Sequence, residues 1–181
     1  MSATASHIKQ LKLPPRTALE VFEMLPEGTL AEVIDNTIYM PPSPTFEHQD
    51  ILGDLYTPIN WHVKSLKLGK CVVSPMDVYL SNRNVVQPDI LFITTANLGI
   101  IQNGKIKGAP DLIIEILSTN RKYDIEDKKA VYETFGVKEY FVVDPVTRET
   151  FSFYHNGKKY VQQKTNTGVL KSQLLNKVFD F

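Results

Sequence analysis

Residues Asp111–Leu117 read DLIIEIL, a short and almost continuous apolar run with a carboxylate in its middle. A run this short, rich in β-branched residues, reads as a buried strand rather than a helix. Ser118, Thr119 and Asn120 follow, and each could cap a helix. A helical stretch then runs from about Arg121 to Phe135 and stops at Gly136. A second apolar strand, Glu139–Val143, ends at Asp144-Pro145. Strand, helix and strand in this order call for an α/β (α+β mixed-sheet) domain with a central sheet.

The flanking chain fits that frame. A polar arm with a Pro-Pro pair extends to about Arg16, and Thr17–Met24 reads as a short helix. Thr29–Tyr39 reads as two short strands around Asp35-Asn36. A long helix starts at Ser43 or Thr45 and runs to about Leu66, with Ile51, Leu52, Leu55, Ile59, Val63 and Leu66 at helical spacing. Pro58 should kink it and Gly69 should stop it. Cys71–Leu80 and Val85–Thr94 flank the hairpin signal Ser81–Asn84, and Asn97–Gly108 reads as a loop. Thr150–His155 and Lys158–Gln162 bracket a turn at Asn156-Gly157. The expected layout is an arm at 1–16 and one domain over 17–181.

Composition removes several classes. Twenty Lys plus Arg balance twenty Asp plus Glu in 181 residues, which argues against a protein that coats nucleic acid non-specifically. The zero is a sum, however: from His155 onward five lysines face only Asp180, a net of +4. One cysteine, Cys71, excludes a disulfide framework and a multi-cysteine zinc site, and reads as a small core hydrophobe. No apolar run is long enough for a signal peptide or a membrane span, so the expected compartment is the cytoplasm. There is no Gly-rich phosphate loop, serine elbow or HExxH motif.

The informative anomalies are charges inside apolar patterns. Asp89 lies in VVQPDILFI and Glu115 in LIIEIL. Burying an ionised carboxylate is costly unless it is paired, hydrogen-bonded or metal-bound. A hard cation such as Mg2+ would reconcile two of them on neighbouring strands. At about 100° per residue, Lys128 and Asp124 fall within the apolar stripe of Ile125, Val131, Tyr132 and Phe135, whereas Lys129 points away. Lys128 therefore projects towards the sheet, either as a snorkelling or i,i+4-paired lysine or as a cation held beside the carboxylates. Glu32 interrupts another strand-like run, and His48 begins the apolar stripe of the long helix. Asp77 opposes Asp89 if its hairpin turn centres on Arg83. It opposes Pro88 if the turn centres between Asn82 and Arg83.

The ordered strings AEVIDNTIYMPPSPTFEH, VVQPDILFI, APDLIIEILS and YDIEDKKAVYETFGVKEYFVVDP resemble the Uma-type restriction endonuclease family of the PD-(D/E)XK nuclease superfamily. The resemblance spans about Pro26 to Pro145. It implies a restriction-endonuclease-like αβββαβ core with added N- and C-terminal β-hairpins, and a Mg2+- or Mn2+-dependent endonuclease activity on DNA. Asp89 matches the PD aspartate and Glu115 the following acidic residue. Leu117 stands where the superfamily lysine would be, and Lys128 on the next helix matches that lysine. The resemblance further implies metal ligation by Asp89, Glu115 and the Ile116 carbonyl, with Glu32 and His48 at the site. Asp77 matches a frequently acidic position. Weak or assisted DNA binding and a homodimer are expected by analogy. The alternative is a catalytically silent nuclease-fold binding or assembly module.

Overall fold

The computed structural model describes residues 14–118 and 123–181, with only the backbone described at Tyr123 and Asp124. In chain order the elements are α1 (Ala18–Phe22), β1 (Glu32–Ile34), β2 (Thr37–Tyr39), α2 (Phe46–Ser65), β3 (Gly69–Val73), β4 (Val78–Tyr79), β5 (Val85–Val86) and β6 (Ile90–Thr94). A 3-10 turn (Thr95–Ile100) leads to β7 (Ile101–Gln102), β8 (Lys105–Lys107) and β9 (Leu112–Ile116). A π-helical stretch (Tyr123–Lys128) runs into α3 (Lys129–Thr134). The chain ends with β10 (Glu139–Val143), β11 (Glu149–His155), β12 (Tyr160–Gln162), β13 (Asn166–Thr167), β14 (Val169–Ser172) and β15 (Lys177–Asp180).

The expected αβββαβ core is α2, β3, β6, β9, α3 and β10. Its sheet has the order β12-β11-β10-β9-β6-β3, with β9 and β10 parallel and the other neighbouring pairs antiparallel. One central sheet is not the whole account. A second sheet, β2-β1-β5-β4-β8-β7, packs on it. The two long strands expected around Ser81–Asn84 are each divided between the sheets. β3 and β6 pair in the first, and β4 and β5 in the second. The chain changes sheet through Ser74–Asp77 and through Gln87–Asp89, each of which contains a proline that breaks a strand ladder.

Alternation along β9 sets the two faces of the central sheet. Leu112, Ile114 and Ile116 pack with α2 residues Ile51, Leu52, Leu55, Ile59 and Val63 and with the β14–β15 hairpin. Ile113 and Leu117 pack with Val131 and Tyr132 of α3 and with residues of the second sheet. Glu115 shares that second face by the two-residue period. Burying each Leu or Ile stabilises by about 1.5–3 kcal/mol. The four apolar residues of β9 therefore outweigh one buried carboxylate, provided it is paired.

Local chemistry explains the element ends. Thr45, not Ser43, caps α2, and its hydroxyl oxygen accepts the His48 N–H. Pro44 thus lies before the helix, while Pro58 is carried inside it. The helix does not stop at Gly69. Leu68 N–H bonds to Val63 O and Lys67 N–H to Lys64 O, a Schellman close with Lys67 in the left-handed position at φ 54°. Gly69 serves close packing instead, because a Cβ there would lie 2.0 Å from the Ile93 carbonyl oxygen. The stretch read as a loop contains the β7–β8 hairpin. Its turn is Asn103-Gly104, both at positive φ, the pairing that type I′ turns require. The expected helix start, at about Arg121, lies outside the described residues.

Candidate active site

β9 delivers Glu115 to the α3 face in the middle of a strand that is buried throughout. Antiparallel pairing of β6 with β9 sets Ile90 opposite Ile114, so the next residues outward, Asp89 and Glu115, come level at the end of β6. Asp89 Oδ2 accepts the Ile116 N–H at 2.8 Å and lies 3.2 Å from His48 Nε2 in the first turn of α2. The N–H and C=O of an extended residue leave on the same edge, so the Ile116 carbonyl also leaves on the β6 side.

Lys128 reaches the same place from the helix. Its side chain is 7% exposed, and its Nζ lies 3.0 Å from Glu115 Oε1 and 3.1 Å from Glu32 Oε1. Lys128, Val131 and Tyr132 keep the three- and four-residue spacing of one α-helical face. Lys128 is the last residue of the π-helical stretch and the N-cap of α3, with helical backbone angles, so it keeps that common orientation. Glu32 comes from β1 of the second sheet, outside the αβββαβ core. It is buried and accepts the Gln87 N–H at 2.7 Å.

Asp77 follows neither of the two registers left open by the sequence. Val78 pairs with Val86 and Tyr79 with Val85, which centres the turn on Asn82 and sets Asp77 level with Gln87. Leu80 and Ser81 both donate their N–H to Asn84 O, and this closes the turn at that length. Asp77 Oδ1 accepts Gln87 Nε2 at 2.7 Å. Asp77 is thus tied to Glu32 through one residue. The Asp124 side chain lies outside the described residues.

Two members of the cluster escaped the sequence reading as site residues. Tyr132 donates its hydroxyl to Glu115 Oε1 at 2.6 Å and has no solvent exposure. Burial, reinforced by the charges of Glu115 and Glu32, holds its phenol well above the ordinary range. Its signal was the four-residue step from Lys128. Gln87 contributes chiefly a backbone N–H, which leaves no side-chain pattern to read. Among the described residues no group of three or more His, Cys, Asp or Glu side chains is placed to hold a metal. The strand register brings Asp89 and Glu115 level at the end of β6, and the Ile116 N–H ties that residue to Asp89.

The comparisons agree with this frame. A family model described as "Putative restriction endonuclease" (Uma2) matches residues 18–178. The chain belongs to the Uma2 family. The crystal structure of a "putative nuclease belonging to DUF820" from Anabaena variabilis ATCC 29413 matches with a TM-score of 0.67 and 22% identity, over 84% of this chain and 83% of that one. At that identity the match establishes a shared fold. No curated protein matches the chain. Membership of this family indicates a restriction-endonuclease-like nuclease, and the structural neighbour supports the fold. Among the described residues of this Uma2 chain, no helix is long and apolar enough to cross a membrane.

Proposed function

We propose that this Uma2 chain is a Mg2+- or Mn2+-dependent endonuclease that hydrolyses phosphodiester bonds of DNA, with Asp89, Glu115, Lys128 and Glu32 as its catalytic set. The observation that carries the reading is the buried Lys128 ammonium within 3.1 Å of two carboxylates, beside the strand end that bears Asp89. Asp89, Glu115 and the Ile116 carbonyl would hold the metal. All three are hard oxygen donors, and Mg2+ is commonly held by one or two carboxylates plus waters and substrate phosphates. The chemistry supplied by such a cation is a bound water of lowered pKa and a polarised scissile phosphate.

The chain's own groups do the rest. Lys128 can turn one N–H from Glu115 towards the attacking oxygen or the phosphate oxygen on which charge develops. Glu32, anchored by the Gln87 amide, keeps Lys128 aimed and can orient water. His48 Nε2 lies against the same Asp89 oxygen that accepts the Ile116 N–H, and its place in the first turn of a 20-residue helix sets the positive end of the helix dipole near an approaching phosphate. The net +4 beyond His155 and the overall neutrality favour weak, salt-sensitive or assisted DNA binding. Cutting both strands would call for two such sites, hence a homodimer.

The test is cleavage of supercoiled plasmid and of a matched RNA with Mg2+, Mn2+ or EDTA. The proposal expects metal-dependent nicking of DNA that EDTA, Glu115→Gln and Lys128→Ala each abolish. Cleavage that survives those substitutions would overturn the site assignment. A second reading, the catalytically silent module, is favoured by one observation: Lys128 already satisfies both Glu32 and Glu115 by direct ion pairs. Calorimetry that detects no binding of divalent cations would select it.

A further inference from the structure

Glu115 Oε1 receives two donors, Lys128 Nζ at 3.0 Å and Tyr132 OH at 2.6 Å. They come from successive turns of one helix face, so they approach the oxygen from two fixed directions. A carboxylate bound by a flexible lysine alone can still rotate about its last bond. The second donor fixes that rotation. Tyr132 itself cannot swing away. Its ring is fully buried and packs edge-on against Tyr140 with centroids 4.9 Å apart, and Tyr140 stacks on Phe153 and Tyr160.

We infer that Tyr132 is a positioning residue that fixes the orientation of the Glu115 carboxylate and shares its Oε1 with Lys128. This rests on the metal-dependent reading above. The shared oxygen has a second consequence. Lys128 need not supply both donors to Oε1, so one of its three N–H bonds can be redirected during the reaction without leaving that oxygen bare.

Outer-shell partners of this kind typically change metal affinity by about 10–100-fold when removed. Mn2+ binding is therefore measured by calorimetry on the full chain, for wild type, Tyr132→Phe, Glu115→Gln and the double variant. Tyr140→Phe serves as a control that also removes a core hydroxyl. The phenylalanine keeps the ring and its packing, and melting curves verify that each variant is folded at the assay temperature. The expected result is binding about 10-fold weaker in Tyr132→Phe, unchanged in Tyr140→Phe, and no further loss when Tyr132→Phe is added to Glu115→Gln. In turnover, kcat should fall while KM for DNA holds. Wild-type Mn2+ affinity retained in Tyr132→Phe would overturn the inference and leave the metal reading standing. Absence of Mn2+ binding in the wild type would overturn the metal reading itself, and the inference with it.

Discussion

Replacing Lys128 with methionine keeps the aliphatic stem and removes the charge between two carboxylates. The oxygens of Glu32 and Glu115 that flank Nζ are each within 3.1 Å of it, so they are at most about 6 Å apart. At an effective dielectric of about 20, two unit charges at that distance repel by about 3 kcal/mol. Removing one partner of a buried pair costs about 3–5 kcal/mol by experience, in agreement. With about 2–4 °C per kcal/mol for a chain of this size, Lys128→Met should lower Tm by about 10 °C in EDTA at pH 8. The loss should shrink when Mn2+ is added, because a cation can replace the lysine. Adding Glu32→Gln and Glu115→Gln to the variant should restore most of the stability. Thermal melts followed by circular dichroism read all three arms. A fall of less than about 2 °C, with no dependence on Mn2+, would refute the bridging role.

Four further outcomes follow from features away from the site. Lys67→Gly should raise Tm by a few degrees, since a left-handed L-residue costs about 1–2 kcal/mol, whereas Gly69→Ala should unfold the β3–β6 pair by forcing a Cβ against the Ile93 carbonyl. Melts of the two variants check both signs. Burial raises the Glu139 carboxyl despite donors from Ser172, Leu174 and Gln173, so the folded state keeps that proton to higher pH than the unfolded chain does. Stability from this group therefore falls as pH rises from its ordinary value of 4.5 through the raised one, and Glu139→Gln should flatten that part of the Tm–pH curve. Burial pushes the Cys71 thiol up to about 12, so alkylation by iodoacetamide at pH 7.5 should be slow until the protein is denatured.

Much of the charge cluster was legible because it breaks local rules. Glu115 stands out in DLIIEIL, and Lys128 in a helical stripe, since burying charge is costly enough to leave a mark on the pattern. The αβββαβ order was legible from period and length. The second sheet was not. Its strands are two or three residues long, too short for a periodicity, and β4 and β5 belong to segments whose other halves, β3 and β6, pair in the first sheet. The register at Asp77 depended on how Asn84 closes a turn, which hydrophobic pattern does not encode. Asn103-Gly104 did carry a hairpin signal, but its flanks Ile101–Gln102 and Lys105–Lys107 lack a clear apolar alternation. The role of Gly69 was hidden as well, because it depends on a carbonyl 24 residues away in sequence.

The central claim is that Asp89, Glu115 and Lys128 form a divalent-metal nuclease site. Anomalous diffraction from a crystal soaked in Mn2+ tests it most directly. The account predicts one strong peak at about 2.0–2.2 Å from carboxylate oxygens of both Asp89 and Glu115, near the Ile116 carbonyl, with Lys128 turned beside it. A fully soaked crystal with no peak between those two carboxylates, and Lys128 still bridging Glu32 and Glu115, would contradict it.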